Sequence, residues 1–137
     1  MSRRRPTEAL RMLRSAAATG DLEAFCHAHD ITLLVAFGST VSGPLPDSAR
    51  DLDLAFMSGT SARLDLLADL STWLGIDEID LLDLRQGGAV AKVEALLHGE
   101  VLYEQSAGTA DRLLSIAAVE KMDTQWLRDW ALDLMAS

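Results

Sequence analysis

What this chain has little of sets the first limits on what it can be. It contains one cysteine, Cys26, so no intramolecular disulfide framework can form and a reducing, cytoplasmic setting is the expectation. No apolar run approaches the ~20 residues a membrane helix requires. The segment Met1-Ser-Arg-Arg-Arg-Pro6 carries basic residues with no apolar stretch behind them, and so does not read as a secretory signal. Basic residues are scarce overall: 12 Lys and Arg stand against 21 Asp and Glu, for a net charge of −9. Five of those 12 (Arg3, Arg4, Arg5, Arg11, Arg14) lie within residues 1–14 beside the single acid Glu8, which leaves 7 basic against 20 acidic side chains in the remaining 123 residues. Long nucleic acids are held through several Lys or Arg contacts to phosphate. The body of this chain lacks the residues for such a groove, so an extended DNA or RNA substrate is not expected, although contact with a tRNA end is not excluded.

What is present fits an ordinary folded domain. Hydrophobic residues make up 49% and charged residues 24% of 137 positions, and a chain of that length buries about two-thirds of the surface it would expose unfolded. One domain over 1–137 is expected, without repeat, low-complexity segment or linker. Residues 7–19 read as a helix with Leu10, Leu13 and Ala17 on one face and Thr7 as its N-cap; Gly20 ends it, and a short second helix follows to about His29. Residues 31–37 form a nearly unbroken apolar run, the pattern of a strand covered on both faces. Residues 40–50 hold Gly43, Pro44, Pro46, Asp47 and Ser48 and read as loop. Asp51 to Phe56 alternates acidic and apolar residues as a strand. An amphipathic helix over 60–74 carries Leu64, Leu67, Leu70, Trp73 and Leu74. A strand over 78–84, a helix over 89–98, a short strand over 101–103 and a last helix from about 109 to 135 complete the order. The fold class predicted is α/β (α+β), a small mixed sheet flanked by helices, with a core over about 31–104 between the N-terminal helix (1–19) and the C-terminal one.

The chemistry concentrates at three carboxylates. Asp51 and Asp53 lie two apart on one predicted strand, so their side chains leave the same face. Neighbouring carboxylates repel unless a cation or proton lies between them, and burying both alone is expensive; an exposed strand face is the plainer alternative. Asp80 lies on the next predicted strand. Together the three make an oxygen-rich set suited to Mg²⁺. Gly38-Ser39 stands where the buried strand ends and the chain turns. A glycine there allows close approach of backbone to a ligand, and N–H groups at such a turn attract phosphate.

The run Phe37-Gly-Ser-Thr-Val-Ser-Gly43, Asp47-Ser48 and Asp51-Leu-Asp-Leu54 resembles the minimal nucleotidyltransferase (MNT) family of the DNA polymerase β superfamily. Ile79-Asp-Leu-Leu-Asp-Leu84 is similar to that family's third-carboxylate strand, and His98-Gly-Glu-Val-Leu-Tyr-Glu104 to its following segment. The likeness covers roughly residues 20–105, with Glu120-Lys-Met-Asp123 in a familiar setting beyond it. It implies a nucleotidyltransferase fold in which Asp51 and Asp53 bind the Mg²⁺ that carries the triphosphate of ATP, Gly38 and Ser39 cradle phosphate oxygens, and Asp80 joins both aspartates at a second metal. Two features depart from the family pattern. Thr40, Val41 and Ser42 are neutral where basic residues are common, and 11 residues separate Ser39 from Asp51, one more than usual. Arg50 is the candidate to restore the positive charge.

The resemblance further implies an antitoxin that transfers AMP from ATP to a tyrosine of a HEPN-type ribonuclease toxin. Two alternatives stand beside it: an MNT-fold antitoxin, weakly active or inactive, that acts by binding alone, and a nucleotidyltransferase toxin that modifies tRNA. Among the other residues, Trp126 and Trp130 lie four apart on the last helix, a spacing that ordinarily means core packing and otherwise a partner-binding face. His27, His29 and His98 show no ligand spacing and read as surface residues. Tyr103 is placed at the sheet edge. Asp83 has the opposite strand parity to Asp80, and Asp77 and Glu78 read as a solvated turn.

Overall fold

A computed structural model describes residues 4–60 and 63–136, without the side chains of residues 123–127. Two helices, α1 (Pro6–Thr19) and α2 (Asp21–Ala28), precede strand β1 (Ile31–Phe37), and 3₁₀ turns at Gly38–Thr40 and Pro46–Ser48 lead to β2 (Leu52–Ser58). Helix α3 (Arg63–Leu74), strand β3 (Ile79–Asp83), helix α4 (Ala89–His98), strand β4 (Glu100–Glu104) and the long helix α5 (Thr109–Ala136) follow. The sheet order is β3-β2-β1-β4. β1 runs antiparallel to both β2 and β4, whereas β2 and β3 are parallel, so the sheet is mixed. Among the described residues no helix is long and apolar enough to cross a membrane.

The apolar run of β1 is explained by what covers it. Leu34 and Ala36 join Leu52, Leu54, Phe56, Ile79 and Leu81 beneath α1, α2 and α3, in a cluster completed by Leu10, Leu13, Leu22, Leu66, Leu70 and Leu74. The intervening residues Leu33 and Val35 point the other way, where they meet Ala55, Leu84, Ala95 of α4 and Ala110 of α5. The period of two in a strand makes both assignments obligatory once one is made. On the first face the residues of β1, β2 and β3 are buried, and Leu102 and Tyr103 of β4 are partly buried. The second is roofed by α4 and α5 only over part of its extent, and that asymmetry positions the site.

Local expectations differ from the structure at several points, each for a physical reason. Helix α1 starts at Pro6 with Arg5 as N-cap and no side-chain cap, so Thr7 is inside the helix; proline at N1 has its φ already helical and no N–H to satisfy. Ala16, not Ala17, completes its buried face. In α3 the buried stripe is Leu66, Leu70 and Leu74 at the i, i+4, i+8 spacing, and Leu64 is 76% exposed. His29 is not a surface residue: its ring packs 4.6 Å from that of Phe25, which in turn stacks on Trp73 at 4.9 Å. Its Nε2 lies 3.0 Å from Asp69 Oδ2. Trp130 is 54% exposed rather than packed in the core, and the side chain of Trp126 lies outside the described residues.

Candidate active site

The site begins where β1 runs out. Gly38 adopts φ +78°, a left-handed conformation that favours glycine. A Cβ there would drive into the Asp53 carboxylate, at Oδ2. The backbone therefore lies directly against that carboxylate, which no larger residue at 38 would permit. The Gly38 carbonyl accepts the N–H groups of Val41 at 3.0 Å and Ser42 at 2.9 Å, which folds the chain into a tight turn and leaves Ser39 exposed on it. Gly43 returns against the Ser39 backbone so closely that a Cβ would lie 2.7 Å from the Ser39 carbonyl oxygen. Two glycines thus hold one serine at the mouth of the turn.

Asp53 occupies the second position of β2, between Phe37 of β1 on one side and Asp80 of β3 on the other. Because β2 and β3 are parallel and in register at this pair, both carboxylates leave the partly roofed face of the sheet, opposite the side taken by Leu52, Leu54, Ile79 and Leu81. Asp51 sits immediately before β2 rather than within it, exposed. The electrostatics tie the three together. Partial burial raises the Asp53 carboxyl above its ordinary value, and the negative charges of Asp80 and then Asp51 raise it further. This is the signature of a like-charged cluster, in which the field of each carboxylate disfavours ionisation of the next. Among the described residues no three His, Cys, Asp or Glu side chains are gathered at metal-binding distances. The donor chemistry nonetheless fits a hard divalent cation: three carboxylates, no competing thiol, and a central acid destabilised when charged.

Beside Asp51 and Asp53 opens a cavity of about 350 Å³, walled by Ser39, Ser48 and Arg50 on its polar side and by Pro44, Leu45 and Ala49 on the other. Of the residues singled out in the sequence, Ser39, Arg50, Asp51 and Asp53 line this one cavity, Gly38 backs it through its contact with Asp53, and Asp80 stands one strand away across Asp53. Arg50 is the one basic side chain among the described lining residues. Asp83 points to the opposite face from Asp80; its Oδ1 accepts the Arg85 N–H at 2.9 Å, closing the turn after β3. Ser48, which appears in the sequence only as part of the motif, and Leu45 line the cavity as well. The available signal was the Pro44-Leu45-Pro46 run, whose two fixed φ angles keep Leu45 out on the lip, 69% exposed. An exposed hydroxyl, a guanidinium and clustered carboxylates at one cavity can bind a polyphosphate together with the cation that neutralises it.

Comparison with known proteins bears on the family and the fold. The model of the polymerase beta nucleotidyltransferase family matches residues 21–108. No curated protein matches the chain. Several solved structures share its fold. One, a toxin–antitoxin crystallised with AMP-PNP, superposes with a TM-score of 0.67 at 19% identity, over 86% of this chain and 98% of that chain. A second, a complex of a tri-AMPylated HEPN toxin with an MNT antitoxin from Shewanella oneidensis, gives 0.64 at 17% identity, over 90% and 99%. A third, the toxin–antitoxin MntA–HepT, gives 0.62 at 18% identity, over 86% and 96%.

Proposed function

The chain belongs to the polymerase beta nucleotidyltransferase family, and from that premise we propose that it is the antitoxin of a toxin–antitoxin pair, transferring AMP from ATP to a tyrosine hydroxyl of a HEPN-type ribonuclease. The observation that carries the reading is the coupling of Asp53 to Asp80 and Asp51 directly under the Gly38 turn. A carboxyl raised by burial and by specific charged neighbours beside a cavity, as Asp53 is, marks a candidate functional site. The similar structures supply the acceptor class: they are toxin–antitoxin complexes, one with AMP-PNP and one with an AMPylated HEPN toxin.

In this reading Asp51, Asp53 and Asp80 would hold Mg²⁺, which would supply positive charge to neutralise the triphosphate. The residues of the chain do the rest. The exposed Ser39 hydroxyl binds a phosphate oxygen, and Arg50 adds the positive charge that Thr40, Val41 and Ser42 do not provide. The acceptor hydroxyl attacks the α-phosphorus; its new O–P bond forms as the bond to the β-phosphate oxygen breaks, and pyrophosphate leaves. Asp80, exposed at the open end of the cluster, takes the hydroxyl proton. Positioning and charge stabilisation account for most of the acceleration in reactions of this class.

Co-expression of the HEPN-type protein encoded with this chain, followed by intact-mass measurement, tests the proposal. One or more added AMP units are expected with the natural site and none with the Asp51→Ala, Asp53→Ala variant. A second reading, restraint of the toxin by contact alone, is favoured by the scarcity of positive charge in the cavity, where Arg50 stands alone among the described lining residues. An unmodified partner that still co-purifies with the double variant and the natural protein alike would establish it.

A further inference from the structure

Helix α5 begins as part of the core and ends outside it. Leu113 and Ala117 pack toward α4 and the sheet. Beyond them the helix carries a second row of apolar residues: Ile116, Val119, Met122, Trp130 and Leu134 are all more than half exposed, Met122 at 68%. At 3.6 residues per turn these five fall within about a third of the helix circumference, on a line roughly 27 Å long. Exposed apolar residues aligned in this way, on either side of residues 123–127 whose side chains are not described, mark an interaction face rather than ordinary surface scatter. Among the described residues the charge beside it is one-sided. Asp111, Asp129 and Asp133, all exposed, border one edge of the row, and Glu120, which lies 3.9 Å from Lys92, borders the other. The basic residues Lys121 and Arg128 fall on the opposite side of the helix. Arg112, at the row's start, is turned back to donate to Thr109 Oγ1 at 3.4 Å.

This pattern selects the occupant. A second copy of α5 packed antiparallel would set the Asp111–Asp129–Asp133 edge against its own duplicate, and a parallel one would set it against Glu120; either opposes like charges in a chain whose net charge is already −9. An anionic membrane surface is repelled by the same edge. We infer that the row from Ile116 to Leu134 is the docking face for the acceptor protein, and that this protein presents an apolar groove rimmed with Lys or Arg. The identity of that acceptor rests on the function proposed above. Helix α5 covers the same face of the sheet from which Asp53 and Asp80 project, so a protein seated on it is held on the catalytic side. Trp130 supplies the aromatic anchor typical of such interfaces.

The experiment uses the full chain and its purified HEPN-type partner, with binding measured by titration calorimetry and the assembly state of the chain alone by light scattering. Trp130→Asp with Leu134→Asp should weaken binding at least 100-fold, with thermal unfolding of the chain unchanged. Asp129→Lys with Asp133→Lys should weaken it about tenfold at low salt and flatten its salt dependence. Asp51→Ala with Asp53→Ala should leave it within twofold. Binding by the stripe variants as tight as by the natural chain overturns the inference; AMP transfer that persists in them would show the proposed function surviving without it. Natural chain that is dimeric alone, and made monomeric by the stripe variants, assigns the face to a second copy and likewise overturns it. Loss of binding in the stripe variants with no AMP transfer by any protein upholds the docking face and removes the enzymatic reading instead.

Discussion

The two faces of the sheet use the same four strands to opposite ends. Beneath α1, α2 and α3 the face carries Leu34, Ala36, Leu52, Leu54, Phe56, Ile79 and Leu81, nearly all fully buried. On the other face, the same strands present Asp53 and Asp80 beside Phe37, and α4 and α5 pack on part of it. The closed face contributes the hydrophobic stabilisation; the open face holds a carboxylate whose ionisation the fold resists. Placing like charges together and half-burying one of them lowers stability at neutral pH, and the arrangement is intelligible when the cluster serves a cation and its phosphate ligand. In the proposed reading, stability and function are separated by one residue of strand parity.

That separation can be broken from either side. The largest effect is expected on the closed face, where Phe56→Ala should cost about 3–5 kcal/mol in urea unfolding, against about 1–2 kcal/mol for Leu82→Ala on the half-covered open face. Comparable losses at both would mean that the open face is as much a core as the other. Next, Gly38→Ala should lower AMP transfer by about 100-fold, because the new Cβ meets the Asp53 carboxylate, and should cost about 1–3 kcal/mol for a positive φ; a fully active alanine variant would show that the turn does not position Asp53. A smaller effect belongs to Arg14, whose guanidinium bonds Glu100 at 2.7 and 2.8 Å from α1 to β4. The pair is partly exposed, at 47% and 36%, so a double-mutant cycle should give about 0.2–1 kcal/mol. Glu100's carboxyl is held below its ordinary 4.5 mainly by that hydrogen bond, so the coupling is present above 4.5 and fades as pH falls through the lowered value. A coupling that persists in strong acid would place its origin in packing.

Much of this architecture is visible in the residue pattern, and the misses are instructive. The unbroken apolar run of residues 31–37 gives a doubly covered strand with its bounds, since only burial on both faces tolerates it. Asp51, Asp53, Asp80 and Gly38-Ser39 stand out in the sequence as an ordered set, since each alone is common in turns and strand edges and only their succession resembles a nucleotidyltransferase. Sequence alone does not reveal that Asp53 and Asp80 are register partners, which depends on β2 and β3 pairing in parallel. Nor does it give the part of Ser48 and Leu45, which reach the cavity only through the path of the loop. The fate of Trp130 was open for a related reason: helical spacing is the same whether a face meets its own core or another protein, and only the length of α5 beyond α4 decides it.

The claim that the open face is a metal–nucleotide site is tested most directly by thermal unfolding of the natural chain and Asp53→Asn at pH 7, first with EDTA and then with saturating Mg–ATP. With its carboxyl raised from the ordinary 3.8, charged Asp53 opposes folding above that range, and the opposition vanishes below it, where the acid is protonated in both states. Asp53→Asn should therefore melt higher than the natural chain in EDTA at pH 7 and equal to it in strong acid. At a hundredfold excess of Mg–ATP over Kd the natural chain should gain about 2–3 kcal/mol, several degrees in Tm, and Asp53→Asn little. Equal gains in both proteins, or none in either, would contradict the account.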